Sequence, residues 1–204
     1  MKRNFSCLCG ANVRLDYSEE IDIDENNGYF DEIQNGTFMS VSCSSCGKKH
    51  KPELKIIVIW KSKNLKMEVI PELERGEFYR RKKHNQSVQT IISFPEMADR
   101  LAVIKDNLEP VVIETLKSFL LTKAAENYPE NDINAWYCCC SQEGIEFHLD
   151  GIRQGEIAVM KIPQELYNKT RDDYRKHPKK DIYTSLRVGS YLSVQNLFRS
   201  EAFR

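Results

Sequence analysis

The spacing of apolar positions changes partway along this chain. Between residues 11 and 23, Val13, Leu15 and Tyr17 alternate with polar neighbours, the two-residue repeat of an extended segment with one buried face. "NNGYFDEIQNGTF" then predicts a short helix with Gly36 at its C-terminal stop. "TFMSVSC" predicts a strand running into a cysteine pair, and "ELKIIVIW" and "LKMEVIP" predict two strands joined as a hairpin by "KSKN". The polar, basic stretch "GEFYRRKKHNQS", residues 76–87, breaks the pattern and predicts a linker. Beyond it, Leu101, Ile104, Leu108, Val111, Val112, Leu116, Phe119 and Leu120 recur at three- and four-residue steps, and Pro110 divides that run into two helices. "INAWYCCC" and "IEFHLDG" flank "SQEG" as a second hairpin, and "EIAVMKIP" predicts a third strand. "PQELYNKTRDDYRKH" predicts a helix with Pro163 in its first turn, and "SYLSVQNLFRS" a closing helix. The pattern is that of an α+β protein in two domains: an antiparallel β module over residues 1–85, then helices with a small antiparallel sheet over 86–204.

Composition narrows the function classes more than the fold. Thirty basic residues balance thirty acidic ones, so no global field calls for nucleic acid or an anionic membrane. The balance is uneven locally. Leu15 to Gly47 carries eight acidic residues and no lysine or arginine, whereas Lys48 to Lys66 carries seven lysines against Glu53 alone. These runs read as solvated faces. The apolar run "IIVIW" is far shorter than a membrane span, and the opening residues lack the apolar stretch of a secretory leader. The expectation is a cytoplasmic, reducing setting with no membrane partner, where seven cysteines, an odd number, point to metal or buried thiols rather than a disulfide framework.

The cysteines fall into three groups. In "CSSCGKKH", Cys43 and Cys46 stand two residues apart with Gly47 behind them, a tight turn that aims two thiolates at one point. In "FSCLCG", Cys7 and Cys9 are separated by one residue and followed by Gly10. Zn2+ has no geometric demand from its d electrons and tolerates the shorter spacing, so Cys7, Cys9, Cys43 and Cys46 form the candidate zinc site, with His50 as a reserve ligand. The competing readings are an empty turn of ordinary thiols and a redox dithiol. The second pair leads into a strand rather than lying between strand and helix of a βαβ unit, which counts against redox. The third group, Cys138, Cys139 and Cys140, reads as buried strand packing with Cys138 and Cys140 on one face and Cys139 on the other. The alternatives are a second metal or reactive site and a vicinal disulfide; His148 lies across the hairpin and could approach the cluster, although a lone strand histidine is more often a satisfied surface or core residue.

Other motifs yield less. Counted from Asp22, "DIDENNGYFDEI" places Asn27 and Ile33 where a calcium loop needs glycine and glutamate. Lys48, Lys49 and Lys51 with Arg80, Arg81, Lys82 and Lys83 could meet phosphates, beside an acidic segment that would repel them. No nucleophile elbow, phosphate loop or His-Glu metalloprotease motif is present, and His50, His84, His148 and His177 stand in unrelated contexts, so no catalytic set is nominated.

"NGTFMSVSCSSCGKKH" followed by a hairpin ending in "MEVIPE" resembles the CpXC domain, a bacterial and archaeal family named for its cysteine–proline–any–cysteine turns. The resemblance covers about residues 5 to 85 and implies a zinc-ribbon-like β module, without supplying a reaction. Cys9, Cys43 and Cys46 match the family pattern. Ser44 stands in the proline position of the second turn, Ser6 in the first cysteine position of the first turn, and Cys7 in its proline position. A four-ligand site is closed and leaves no position for a catalytic water, so the functional expectation is a non-catalytic, zinc-stabilised binding or adaptor protein with a protein partner. Two alternatives follow from the same residues: a nucleic-acid-binding ribbon using the Lys48–Lys66 hairpin, and an enzyme with an open three-cysteine zinc.

Overall fold

The computed structural model describes residues 1–26, 28–81, 83–84 and 87–198. The chain divides into two compact units, one formed by Met1–Phe78 with Ser87–Ala98 and the other by Tyr79–Gln86 with Asp99–Arg204. Among the described residues, no helix is long and apolar enough to cross a membrane.

The first unit starts with a hairpin of β1 (Lys2–Ser6) and β2 (Asn12–Asp16), paired antiparallel from Lys2 opposite Asp16 to Ser6 opposite Asn12. Val13 and Leu15 are buried and their neighbours exposed, as the alternation requires. The short β3 (Glu20–Asp22) and helix α1 (Gly28–Gln34) follow, the helix ending just ahead of Gly36. The strand expected over "TFMSVSC" is shorter than its pattern. Met39 adopts a positive φ of 53° and the Ser40 N–H bonds back to the Thr37 carbonyl, so a turn occupies its first half. Only β4 (Val41–Ser42) pairs, with β5 (Lys49–His50). The predicted hairpin of β6 (Ile56–Trp60) and β7 (Leu65–Ile70) is present, with Trp60 opposite Leu65.

The stretch read as a linker is partly helical. α2 (Arg75–Arg80) occupies its start, because Phe78 buries its ring and gives the polar run an apolar anchor. Of the expected linker, Lys82, Asn85 and Gln86 lie outside the described residues. Within the first unit, β8 (Gln89–Ile92) then joins the strand order β8-β7-β6-β3. Its inner pair is antiparallel, while β8 runs parallel to β7 and β3 parallel to β6. Ile56, Val58, Met67, Val69, Ile91 and Ile92 are almost completely buried on these strands. This sheet is a second β body besides the two small hairpins, and its parallel pairings come from strands distant in sequence. α3 (Phe94–Lys105) leads out of the first unit.

The second unit follows its apolar pattern closely. α4 (Pro110–Asn127) begins with Pro110 in its first turn, where the missing N–H costs nothing, and the expected split into two helices is found. β9 (Asn134–Ser141), β10 (Gly144–Asp150) and β11 (Ala158–Ile162) make an antiparallel sheet in the order β11-β10-β9. Val112, Ile113 and Leu116 of α4 pack with Tyr137, Ile145 and Phe147 of that sheet in one core, joined by Tyr167 from α5 (Gln164–Lys176). After the short α6 (Asp181–Thr184), the expected closing helix is largely replaced: Tyr191 and Leu192 form β13 (Tyr191–Leu192) against β12 (Arg187–Val188), leaving only α7 (Gln195–Phe198). Tyr191, fully buried, is worth more in that hairpin than on a surface helix.

One turn in this unit is tightly specified. Gly151 has a φ of +85°, and a Cβ there would lie 2.1 Å from the Asp132 carbonyl oxygen, inside any real contact distance. Gly155 has a similar φ of +77° but open space around it. Gly151→Ala is therefore expected to cost clearly more than the roughly 1–2 kcal/mol of left-handed strain that Gly155→Ala incurs. Thermal denaturation of the two variants compares them directly, and equal losses would contradict the close approach.

A feature invisible in the pattern lies at the foot of α4. Asp99, Arg100, Glu114 and Lys117 are all buried, at 7%, 4%, 4% and 3% exposure. The Lys117 ammonium lies 2.5 Å from Asp99 and 3.1 Å from Glu114, and Arg100 lies 3.5 Å from Glu114.

Candidate metal centre

The four cysteines of the first unit leave their hairpins through two turns of different length. In the second, the Cys43 N–H donates to the Lys48 carbonyl and the Gly47 N–H to the Cys43 carbonyl, both at 2.9 Å. In the first, the Cys7 N–H donates to the Ala11 carbonyl at 2.8 Å and the Gly10 N–H to the Cys7 carbonyl at 2.9 Å. The bonding pattern is the same with one residue removed. Both turns reverse through a glycine at positive φ, +86° at Gly10 and +72° at Gly47, where a side chain would add strain. The shorter spacing of Cys7 and Cys9 is thus a tightened copy of the Cys43–Cys46 turn rather than a damaged one.

The turns face each other. The Cys7 and Cys46 sulfurs lie 3.6 Å apart, as do those of Cys9 and Cys43, and all four lie within 4.8 Å of one another. A tetrahedral zinc with Zn–S bonds of about 2.3 Å requires sulfurs roughly 3.8 Å apart. The donor set and its spacing therefore fit a tetrathiolate metal ion. Cys7 and Cys43 are buried and Cys9 and Cys46 exposed, and behind the buried pair lie Val13, Phe5, Ala11 and Val41.

Backbone amides prepare one sulfur for metal. The Cys43 thiol is lowered to about 6, first by the Cys46 N–H donating to its sulfur and then by that of Ser45. Cys46 receives the Lys48 N–H, but the crowding sulfurs of Cys9 and Cys7, with some loss of solvation beside them, outweigh that bond and push it up to about 12. Without a cation, four sulfurs this close cannot all ionise. A bound dication removes that penalty, which links metal affinity to pH.

The Cys7 sulfur, which departs from the family's cysteine position, is inside the cluster. His50, the reserve ligand, stands outside the four-sulfur group. Its Nε2 lies 3.2 Å from the Cys7 sulfur, and its ring packs edge-on to Phe5 at 5.3 Å. The imidazole thus supports the Cys7 sulfur from outside the group.

The charged runs on either side of the site meet each other. Because β3 pairs parallel to β6, the acidic segment comes alongside the lysines. Lys61 lies 2.7 Å from Asp22 and 2.8 Å from Glu25, and the bond to Asp22 holds its ammonium well above the usual lysine range. Asp24 accepts from the Ser62 N–H and hydroxyl, both at 2.7 Å, Lys55 lies 2.6 Å from Glu68, and Lys66 lies 3.9 Å from Glu20. The acidic loop clamps the hairpin, and a sequence pattern could not show this because the partners join through a non-local parallel pairing.

The third cysteine group departs from its expected packing. Cys138, Cys139 and Cys140 are all exposed. β9 carries a bulge: Tyr137 lies opposite Phe147 and Cys139 opposite Glu146, so Cys138 is an extra residue in the strand. The bulge changes the alternation. Cys140 lies opposite the buried Ile145, and its sulfur reaches Gln164 on α5. Cys139 is moved to the outward face with Glu146, and Cys138 reaches the Glu146 and Cys139 side chains there.

The CpXC protein family matches residues 5–117. An uncharacterized protein of Treponema pallidum (strain Nichols) is 26% identical over 213 residues, covering 94% of this chain and 96% of that protein. No solved structure matches.

Proposed function

The chain belongs to the CpXC family, and from that premise we propose that Cys7, Cys9, Cys43 and Cys46 hold a structural Zn2+ that ties together a non-catalytic binding module. The observation that carries the reading is the sulfur geometry, two pairs at 3.6 Å inside a cluster no wider than 4.8 Å. Four thiolates fill the coordination sphere of zinc, so the ion keeps no position for water or substrate and acts on stability rather than on a reaction. The Cys7 sulfur closes the site that a three-cysteine enzyme would leave open. The ion pairs of Lys55, Lys61 and Lys66 with carboxylates weigh against the hairpin as a phosphate-binding surface and in favour of a protein partner.

Elemental analysis of protein purified without added metal tests the reading. Wild type should carry zinc, and Cys46→Ser should lose one equivalent per chain, whereas His50→Ala should keep it with weaker affinity, by roughly 10–100-fold. Zinc-free wild type, or a Cys46→Ser variant with unchanged content, would overturn the proposal.

A further inference from the structure

The outward face of the three-stranded sheet in the second unit carries a cluster that the four-cysteine site does not use. The geometry points to a second, open site for a borderline divalent cation such as Zn2+ or Co2+, built from the Cys138 thiolate, a Glu146 carboxylate oxygen and the His148 imidazole. One ligand atom from each lies within 4.8 Å of the other two. The His148 Nε2 and the Glu146 Oε1 are 3.1 Å apart. That matches the roughly 3.3 Å edge expected when oxygen and nitrogen ligands sit about 2.0 Å from a tetrahedral zinc.

The scaffold for this set is the β9 bulge. Glu146 and His148 project to the same face of β10 because they are two residues apart. Cys138, as the extra residue opposite Glu146, is brought beside them. Bulges are used in this way to re-aim a side chain next to a site. The pair His148–Glu146 alone is an ordinary contact; the displaced cysteine makes it a three-donor set.

Charge and donor type favour the same class of ion. A thiolate, a carboxylate and a neutral imidazole neutralise a dication, and sulfur, nitrogen and oxygen together suit zinc or cobalt rather than magnesium or calcium. Lys161 lies opposite Glu146 on β11, but its ammonium is engaged by Glu143 at 3.0 Å. Both His148 and Glu146 are only partly covered, at 36% and 23% side-chain exposure, and Cys138 is exposed, so three protein ligands leave a position open to water. A metal held this way stays a Lewis acid, unlike the closed tetrathiolate ion.

The test uses the full chain, saturated with Zn2+, desalted and analysed for metal per chain. Wild type is expected to hold two ions, and His148→Ala and Cys138→Ser one each, with affinity for the second ion lowered at least about 100-fold because a direct ligand is lost. Cys139→Ser should keep both. Cys46→Ser removes the other ion and leaves this one, so failure of either site is read separately. With Co2+ in place of zinc, the sulfur-to-metal charge-transfer absorption of the second ion should vanish in Cys138→Ser and weaken in His148→Ala. His148→Ala, Cys138→Ser and Cys139→Ser sit at positions wholly or partly open to solvent, and circular dichroism checks that all four variants fold. Wild type holding no ion besides the one that Cys46→Ser removes, or His148→Ala and Cys138→Ser holding as many ions as wild type, overturns the proposal. Loss of the second ion in Cys139→Ser but not in Cys138→Ser overturns it equally.

Discussion

Removing metal with a strong chelator is expected to release the two hairpins Lys2–Asp16 and Val41–His50 while the sheet from Ile56 to Ile92 keeps its structure. The reason is the size of the core behind the sulfurs. Its buried members are Cys7, Val13 and Cys43, and two of those three are candidate ligands. At about 25 cal/mol per Å² of apolar area, the few side chains there cannot offset the roughly 1–2 kcal/mol of backbone entropy lost per ordered residue. A tetrathiolate zinc supplies an apparent 10–16 kcal/mol in small zinc-binding peptides, ample to close that gap. The neighbouring sheet has its own core, with Val58, Met67, Val69 and Ile92 at zero exposure.

Hydrogen exchange resolves the two regions. The amides of Cys7, Gly10, Cys43 and Gly47, which close the metal turns, should lose protection on chelation, and those of Val58 and Val69 should keep it. Acid should mimic the chelator. The folded Cys43 thiol lies below its ordinary value, so its contribution is present above the unfolded pKa and is lost as pH falls through about 6. Protection of the four turn amides that is indifferent to both chelator and acid would show that the hairpins stand without metal.

The sequence made some of this readable and hid the rest for identifiable reasons. The helices α3, α4 and α5 and the hairpins of β6 with β7 and β9 with β10 were legible because their apolar spacing and turn residues are local. The four sulfurs were legible too, since two cysteine–glycine turns are a local signature, and only their meeting required the fold. What could not be read depended on partners distant in sequence. The parallel pairings of β3 and β8 have no local mark, so the clamping of Lys61 by Asp22 was hidden with them. The β9 bulge inverted the facing of two of three consecutive cysteines, which strict alternation cannot foresee. The burial of Asp99, Arg100, Glu114 and Lys117 contradicts the usual exposure of such residues and becomes intelligible only as a group.

That group leads to the second large effect: Lys117→Met should destabilise the second unit by about 3–5 kcal/mol. In the wild type, two carboxylates face two cations, all four side chains buried. Asp99 also accepts the Tyr137 N–H at 2.6 Å, Glu114 the Val194 N–H at 2.8 Å, and Arg100 donates to the Leu192 carbonyl at 2.7 Å, so the network is tied to three backbone segments. Burial alone would discharge Lys117, but Asp99 and Glu114 outweigh it and hold the ammonium above its usual range. Glu114 is likewise held below the usual carboxylate range, its burial outweighed by Lys117 and Arg100. Methionine matches the lysine stem in size, so the loss comes from charge rather than a cavity. It leaves Asp99 without a cation, and burial already raises that carboxyl. A protonated Asp99 no longer needs a partner, so the gap between Lys117→Met and wild type should narrow as pH falls. For a chain of this length the expected loss corresponds to a melting-temperature drop of roughly 6–20 °C at neutral pH. Adding Asp99→Asn keeps an oxygen for the Tyr137 N–H while removing the orphaned charge, and should restore most of the stability. A single variant as stable as wild type, or a double variant no better than the single, would mean that the buried charges do not act as a unit.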